Sequence, residues 1–186
     1  MKYVVFTLMR VLQKVPFIKL YQLIEFGEQS ILMMPKSGSR SVRDSRLILD
    51  GISDVETMSV AKKNYLASKY FRFLTFKQLS KYSKRRKVFY IFRSWDSRIK
   101  SCWREKIRDT NGYYFWMYYP FINGKMSEEE FIKIVHKMPE SLREKHFSSN
   151  NELLAIKSLT LIDLTNLDSL LLDLTGHKVR SNATKE

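Results

Sequence analysis

Ser30-Ile31-Leu32-Met33-Met34-Pro35-Lys36-Ser37-Gly38-Ser39-Arg40-Ser41-Val42 is the stretch whose reading decides the fold. Ile31 to Met34 is a short apolar run of the length of a buried strand. Pro35 closes it, having no N–H to give a sheet ladder. Lys36 to Ser41 is small, flexible and rich in hydroxyls. From Ser41 to Leu49 the pattern turns helical, with Val42, Ile48 and Leu49 set among arginines and aspartates, and Gly51 is placed to end the helix. A strand, a tight turn and a helix start aim backbone N–H groups and the helix dipole at one point, which suits a phosphate. Gly38 lets the backbone approach an anion, Ser37, Ser39 and Ser41 offer hydroxyls, and Lys36 offers a charge. Taken alone, the stretch favours an ordinary Ser/Gly turn after a strand. No Gly-Lys-Ser/Thr follows, so it is not a Walker loop.

A second stretch changes that balance. Val88-Phe89-Tyr90-Ile91-Phe92 is the strongest strand signal in the chain, and its continuous apolarity predicts burial on both faces, as in a parallel sheet. A helical pattern runs from Trp95 to Ile107. Arg93 stands at the strand's carboxyl end, and Arg98 and Ser101, three apart, share a helix face. Guanidinium and hydroxyl together make a second anion site.

The chain has 186 residues, which suits one α/β domain, with 1–29 as a lead-in and 177–186 as a polar tail. Its net charge of +14 calls for an anionic partner, whether nucleic acid, membrane surface, nucleotide or acidic glycan. The 12 Phe, 10 Tyr and 3 Trp supply rings that stack on bases or sugars. Cys102 is the single cysteine, which excludes an intrachain disulfide and a cysteine zinc cluster. No convincing metal cluster and no transmembrane segment is evident, since every apolar run falls well short of the ~20 residues a span needs. The N-terminal apolar run lacks a small-residue cleavage site and reads as part of the fold rather than a signal peptide.

The remaining segments are less specific. Leu8, Val11, Leu12 and Val15 fit a helical face that Pro16 interrupts. Arg40, Arg43 and Arg46 lie close to one helix face, either as a solvated surface or as a positive wall beside the anion site. Tyr65, Leu66, Tyr70, Phe71 and Phe73 predict an amphipathic helix with a buried aromatic side. Lys81, Lys84, Arg85, Arg86 and Lys87 predict an exposed basic loop. The aromatic segment 111–121 reads as packed core or as an acceptor groove. Ser127 with Glu130 is a capping box that opens a helix. Asp163 to Leu174 reads as a Leu-rich helix ended by Gly176.

Two strand–loop–helix units, each ending at an anion site, fit a ligand with two phosphate-like ends. In these residues the chain resembles the PAPS-dependent sulfotransferases, and among them the carbohydrate branch. Pro35-Lys36-Ser37-Gly38-Ser39-Arg40-Ser41 is similar to the loop that holds the 5′-phosphosulfate of 3′-phosphoadenosine-5′-phosphosulfate (PAPS). Arg93, Arg98 and Ser101 are similar in spacing and context to the element that holds the 3′-phosphate. His146-Phe147-Ser148-Ser149-Asn150 is similar to a third, weaker turn, and the tail with Asn182-Ala183-Thr184 resembles a late segment near the nucleotide. Arg40 departs from the usual Thr or Ser, and Ser94-Trp95 from the usual Asp-Pro.

The resemblance implies a P-loop-like three-layer sandwich with a central, mostly parallel sheet flanked by helices. It implies an enzyme that moves the sulfuryl group of PAPS to a hydroxyl of a glycan acceptor without a metal, and the positive charge of the chain suits an acidic glycan. Lys36, Ser37, Gly38, Ser39, Arg40, Ser41, Arg93 and Ser101 would bind the donor, and Lys36 would stabilise or protonate the leaving oxygen. Relatives place a His or Glu base between the two motifs. No histidine lies between Arg40 and Arg93 here, so Glu56 is the first candidate, Asp54 the second and His146 the third. A cytoplasmic, bacterial-type enzyme fits better than a Golgi-lumenal one, with no specific nucleic-acid partner. The alternative is a non-enzymatic nucleic-acid-binding module that uses Lys81–Lys87 and the aromatic segments.

Overall fold

Lys87–Phe92 is a strand, β4, and its side chains explain its unbroken apolarity. In the computed structural model, which describes residues 2–12, 19–110, 119–143 and 145–177, Val88 and Tyr90 pack on one side with Leu23, Leu32, Leu79 and Leu153. Phe89 and Ile91 pack on the other with Ile24, Ile31, Val42 and Leu171. Both faces are therefore core, the environment in which a strand loses its apolar/polar alternation.

Four further strands complete the sheet: β1 (Tyr21–Phe26), β2 (Gln29–Leu32), β3 (Phe71–Leu74) and β5 (Leu159–Asp163). Their order is β3-β1-β2-β4-β5. β2 pairs in parallel with β4, with Ile31 opposite Phe89, and β4 in parallel with β5, with Tyr90 opposite Leu161. β1 runs antiparallel to both β2 and β3. The α/β class and the burial of the sheet on both faces follow the sequence reading. The expectation of mostly parallel pairing is corrected to a mixed sheet. The cause is local: Gly27, at φ 59, turns the chain in a two-residue hairpin with Glu28, and a hairpin can only join antiparallel strands.

The helices are α1 (Lys2–Leu12), α2 (Ser39–Leu49), α3 (Val60–Ala67), α4 (Phe76–Ser83), α5 (Trp95–Trp103), α6 (Glu128–Lys137) and α7 (Leu167–Thr175). Leu79 of α4 covers the Leu32 face of the sheet, while Val42 of α2 and Leu170 and Leu171 of α7 cover the Ile31 face. α5 and α6 enclose a separate cluster of Ile99, Cys102, Phe131, Val135 and Phe147. α6 opens with the expected capping box between Ser127 and Glu130, and α7 ends at Gly176 in the left-handed conformation.

Two local readings are corrected. The stretch 52–80 holds α3, β3 and α4 rather than one helix with a buried aromatic side, and Tyr65 is exposed. Phe71 lies on the edge strand β3 and stacks at 4.9 Å on Phe6 of α1. α1 is helical as expected, yet it buries Phe6 and exposes Leu8 and Val11. Val15, Pro16, the segment 111–118 and the tail from 178 lie outside the described residues.

Candidate anion site at the carboxyl ends of β2 and β4

Pro35 to Gly38 forms the turn from β2 into α2. Lys36 and Gly38 have φ of 64° and 74°. Gly38 occupies the N-cap of α2, and no side chain caps the helix there. A Cβ on Gly38 would lie 2.1 Å from Leu167 Cδ2, so the positive φ and the approach of α7 both demand glycine. The first turn of α2 carries no acidic residue. Its orphan N–H groups and the positive end of the helix dipole thus receive no counter-charge from the helix's own first turn. Ser37 is 2% exposed, and its Oγ makes no hydrogen bond among the described residues. A buried hydroxyl left unpaired in a protein interior calls for an account. Ser41 is buried, Ser39 half-buried and Arg40 exposed.

The Lys36 side chain is largely buried and its Nζ pairs with Glu105. Glu105 belongs to a π-helical turn, Arg104–Arg108, that continues α5. The same carboxylate pairs with Lys106 Nζ at 2.9 Å and Arg40 Nη2 at 3.4 Å. Burial pushes the Lys36 ammonium below its ordinary pKa, with Glu105 opposing. Burial alone would raise Glu105, but Lys36 and Lys106 overcome it and hold the carboxyl at about 2. Arg93, at the end of β4, donates from Nη1 to the Lys36 carbonyl at 2.9 Å.

The loop after β4 is built differently. Ser94 Oγ accepts from Ser97 N at 3.3 Å and caps α5. The Ser94-Trp95 departure therefore keeps a helix start, with Ser as cap and Trp as first helical residue. Trp95 Nε1 donates to the Phe147 carbonyl at 2.9 Å, and Arg98 Nη2 to the Lys145 carbonyl at 3.3 Å. Arg98 is buried and serves the fold, while Ser101 lies one turn further along α5, half-buried. The His146–Asn150 turn is thus docked onto α5. Its far side is tied down by Glu140, which accepts from Ser148 Oγ and from Ser149 N at 2.9 Å. Those hydrogen bonds outweigh burial and hold Glu140 at about 2. His146 is half-buried in this turn.

β2 and β4 are parallel neighbours, so their loops emerge side by side, ~4.8 Å apart at the strands. α2 packs on the Ile31 face, whereas Arg98 of α5 lies in electrostatic reach of Tyr90 on the other face. The two helices diverge from adjacent strand ends, the arrangement that opens a crevice in α/β sheets. Lys36, Ser37, Gly38, Ser39, Arg40, Ser41 and Arg93 gather at that end.

Other sequence candidates fall elsewhere. Val55 packs with Leu47 and Ala67, which places the exposed Glu56 beside the C-terminal half of α2, away from Lys36. Asp54 is exposed just before it. The basic run ends at Lys87, the first residue of β4, at the opposite end of the strands from the candidate anion site, where Arg86 Nη2 bonds the Gly27 carbonyl. Most of the aromatic segment lies outside the described residues. Glu105 was not singled out from sequence. Its only signal is indirect, because a buried lysine calls for a counter-ion.

Among the described residues, no group of three or more His, Cys, Asp or Glu side chains could hold a metal, and no helix is long and apolar enough to cross a membrane. No family model, curated protein or solved structure matches the chain.

Proposed function

We propose that the chain is a PAPS-dependent sulfotransferase with a carbohydrate hydroxyl as acceptor and a P-loop-like donor site. The observation that carries this reading is the convergence of the two anion elements: Arg93, from the end of β4, bonds the backbone of Lys36 in the β2–α2 turn. A ligand with phosphates at both ends would be held across that junction. The unpaired Ser37 hydroxyl and the uncapped α2 N-terminus fit such a ligand.

In this reading Ser37, Gly38, Ser39 and Ser41 cradle the 5′-phosphate, and Arg40 adds positive charge at the rim. Arg93 and Ser101 hold the 3′-phosphate. The donor supplies the sulfuryl group and leaves as 3′,5′-adenosine bisphosphate. Lys36 neutralises charge that develops on the leaving phosphate oxygen as the acceptor oxygen bonds to sulfur. A base must come within hydrogen-bond reach of the acceptor proton, and that proton sits on the hydroxyl that attacks sulfur beside Lys36. Glu56, beside the C-terminal half of α2, does not meet that condition in this structure, which leaves His146 as the proposed base.

The test is transfer of labelled sulfate from PAPS to a panel of polysaccharides without divalent metal. Transfer is expected, and Lys36→Ala is expected to lower kcat/KM by roughly 100-fold or more, the scale of losing a transition-state charge donor. No transfer together with no binding of 3′,5′-adenosine bisphosphate sinks the reading. An oligonucleotide-binding module would instead bind single strands with a steep salt dependence.

A further inference from the structure

We infer that Glu105 is an internal stand-in for the ligand anion. It occupies the charge position of the β2–α2 site and must be displaced before a phosphate-bearing donor binds. The inference rests on the donor reading above and adds a determinant of affinity and selectivity to it.

The charge balance at the site carries the argument. One carboxylate meets Lys36, Arg40 and Lys106, and Arg93 is anchored on the Lys36 carbonyl. Asp44 likewise meets two largely buried cations, Arg43 and Lys63. What distinguishes Glu105 is its place, against the buried Lys36 beside a helix start that no side chain caps. Removing the carboxylate would leave cations close together in a partly desolvated place, which is unfavourable until another anion arrives. Ser37 supplies the second, independent observation. Its hydroxyl is buried in the same turn and unpaired, so Glu105 satisfies the charge of the site but not its hydrogen bonds. A phosphate, with more oxygens and more charge, can satisfy both.

The carrier of Glu105 is suited to displacement. It sits on a π-helical turn, a rare geometry that occurs mostly in single turns and often beside functional sites. Its side chain is 36% exposed, so it can swing into solvent without unpacking the cluster around Ile107.

Displacement also gives selectivity. A simple anion, gripped only at the β2–α2 turn, must compete with a carboxylate that is already tethered there. A bisphosphate gripped additionally by Arg93 and Ser101 gains a second anchor that Glu105 cannot contest. The native chain should therefore admit two-ended ligands and reject inorganic phosphate. A site that is mostly self-occupied weakens its ligand by the fraction of time it stands open.

The experiment is titration calorimetry of 3′,5′-adenosine bisphosphate and of inorganic phosphate, without divalent metal, into the native chain, Glu105→Gln and Glu105→Asp. Glu105→Gln should bind the bisphosphate about tenfold tighter than the native chain and should gain millimolar binding of inorganic phosphate. Glu105→Asp keeps the charge on a shorter reach and should fall between them; it also serves if Glu105→Gln does not fold. Equal or weaker bisphosphate binding in both variants overturns the inference while leaving the donor reading intact. Absence of bisphosphate binding in all three proteins overturns the donor reading and this inference with it. In a purely structural role, Glu105→Gln would lose thermal stability that inorganic phosphate does not restore.

Discussion

The two strand–loop–helix units look alike in sequence but spend their polar groups differently. At the start of α5 nearly everything is used internally: Ser94 caps the helix, Trp95 and Arg98 bond the backbone of the 145–150 turn, and Glu140 holds that turn from behind. At the start of α2 the cap is a glycine, and among the described residues the Ser37 hydroxyl has no partner and the charge of Lys36 is met by Glu105, reached from 69 residues away. One unit is a joint and the other, in the proposed reading, is a socket. A helix start that satisfies itself has little left for a ligand, whereas one that does not is either poorly built or built for something absent. The close fit of Gly38 against Leu167 argues against poor building.

The contrast can be broken most forcefully at the joint. Phe147→Ala removes a fully buried ring that meets Tyr119 at 5.3 Å and Phe131 at 6.1 Å. A loss of about 3–5 kcal/mol is expected in denaturant unfolding. Gly38→Ala should cost about 1–3 kcal/mol, because a Cβ there meets both a positive φ and the buried Leu167. It should also abolish bisphosphate binding, which Phe147→Ala, if it folds, should not. Ser94→Ala removes a helix cap from α5 and should cost only about 1 kcal/mol, with ligand affinity unchanged. If Ser94→Ala instead destroyed binding, the division into joint and socket would be wrong.

Acid titration sharpens the same comparison with a smaller effect. Glu105 and Glu140 are each held at about 2, below the ordinary 4.5. Their folded pKa values are depressed, so their contributions are complete above about pH 4.5 and are lost as pH falls toward 2. The melting temperature should decline across that window. Glu140→Gln should flatten the decline. Glu105→Gln should flatten it too, and in this variant alone added phosphate should raise the melting temperature.

Much of the central fold was legible. Val88 to Phe92 announced a strand buried on both faces, and Ser127 with Glu130 announced α6. The strand at Ile31 and the helix behind Ser41 were visible, with boundaries shifted by about two residues at each start. β3 was hidden because Phe71-Arg72-Phe73-Leu74 is short and half-buried at a sheet edge, where alternation fades. β5 merged into the Leu-rich pattern that follows it, since Leu159 to Asp163 runs directly into the turn before α7. The inward face of α1 was misjudged because most of its positions are apolar, and the rings of Phe71 and Phe73 on β3 select Phe6. At the site, the β2–α2 loop residues were legible from local chemistry. Glu105 was not, because its pairing depends on where α5 ends in space, and a π turn leaves no periodic signature in sequence.

Titration of 3′,5′-adenosine bisphosphate into the native chain and into Lys36→Ala, without divalent metal, tests the socket most directly. The account predicts saturable one-to-one binding to the native chain that weakens about 10- to 100-fold in Lys36→Ala, the scale of losing a charge-assisted hydrogen bond. No binding to the native chain, or equal binding by both proteins, would contradict it.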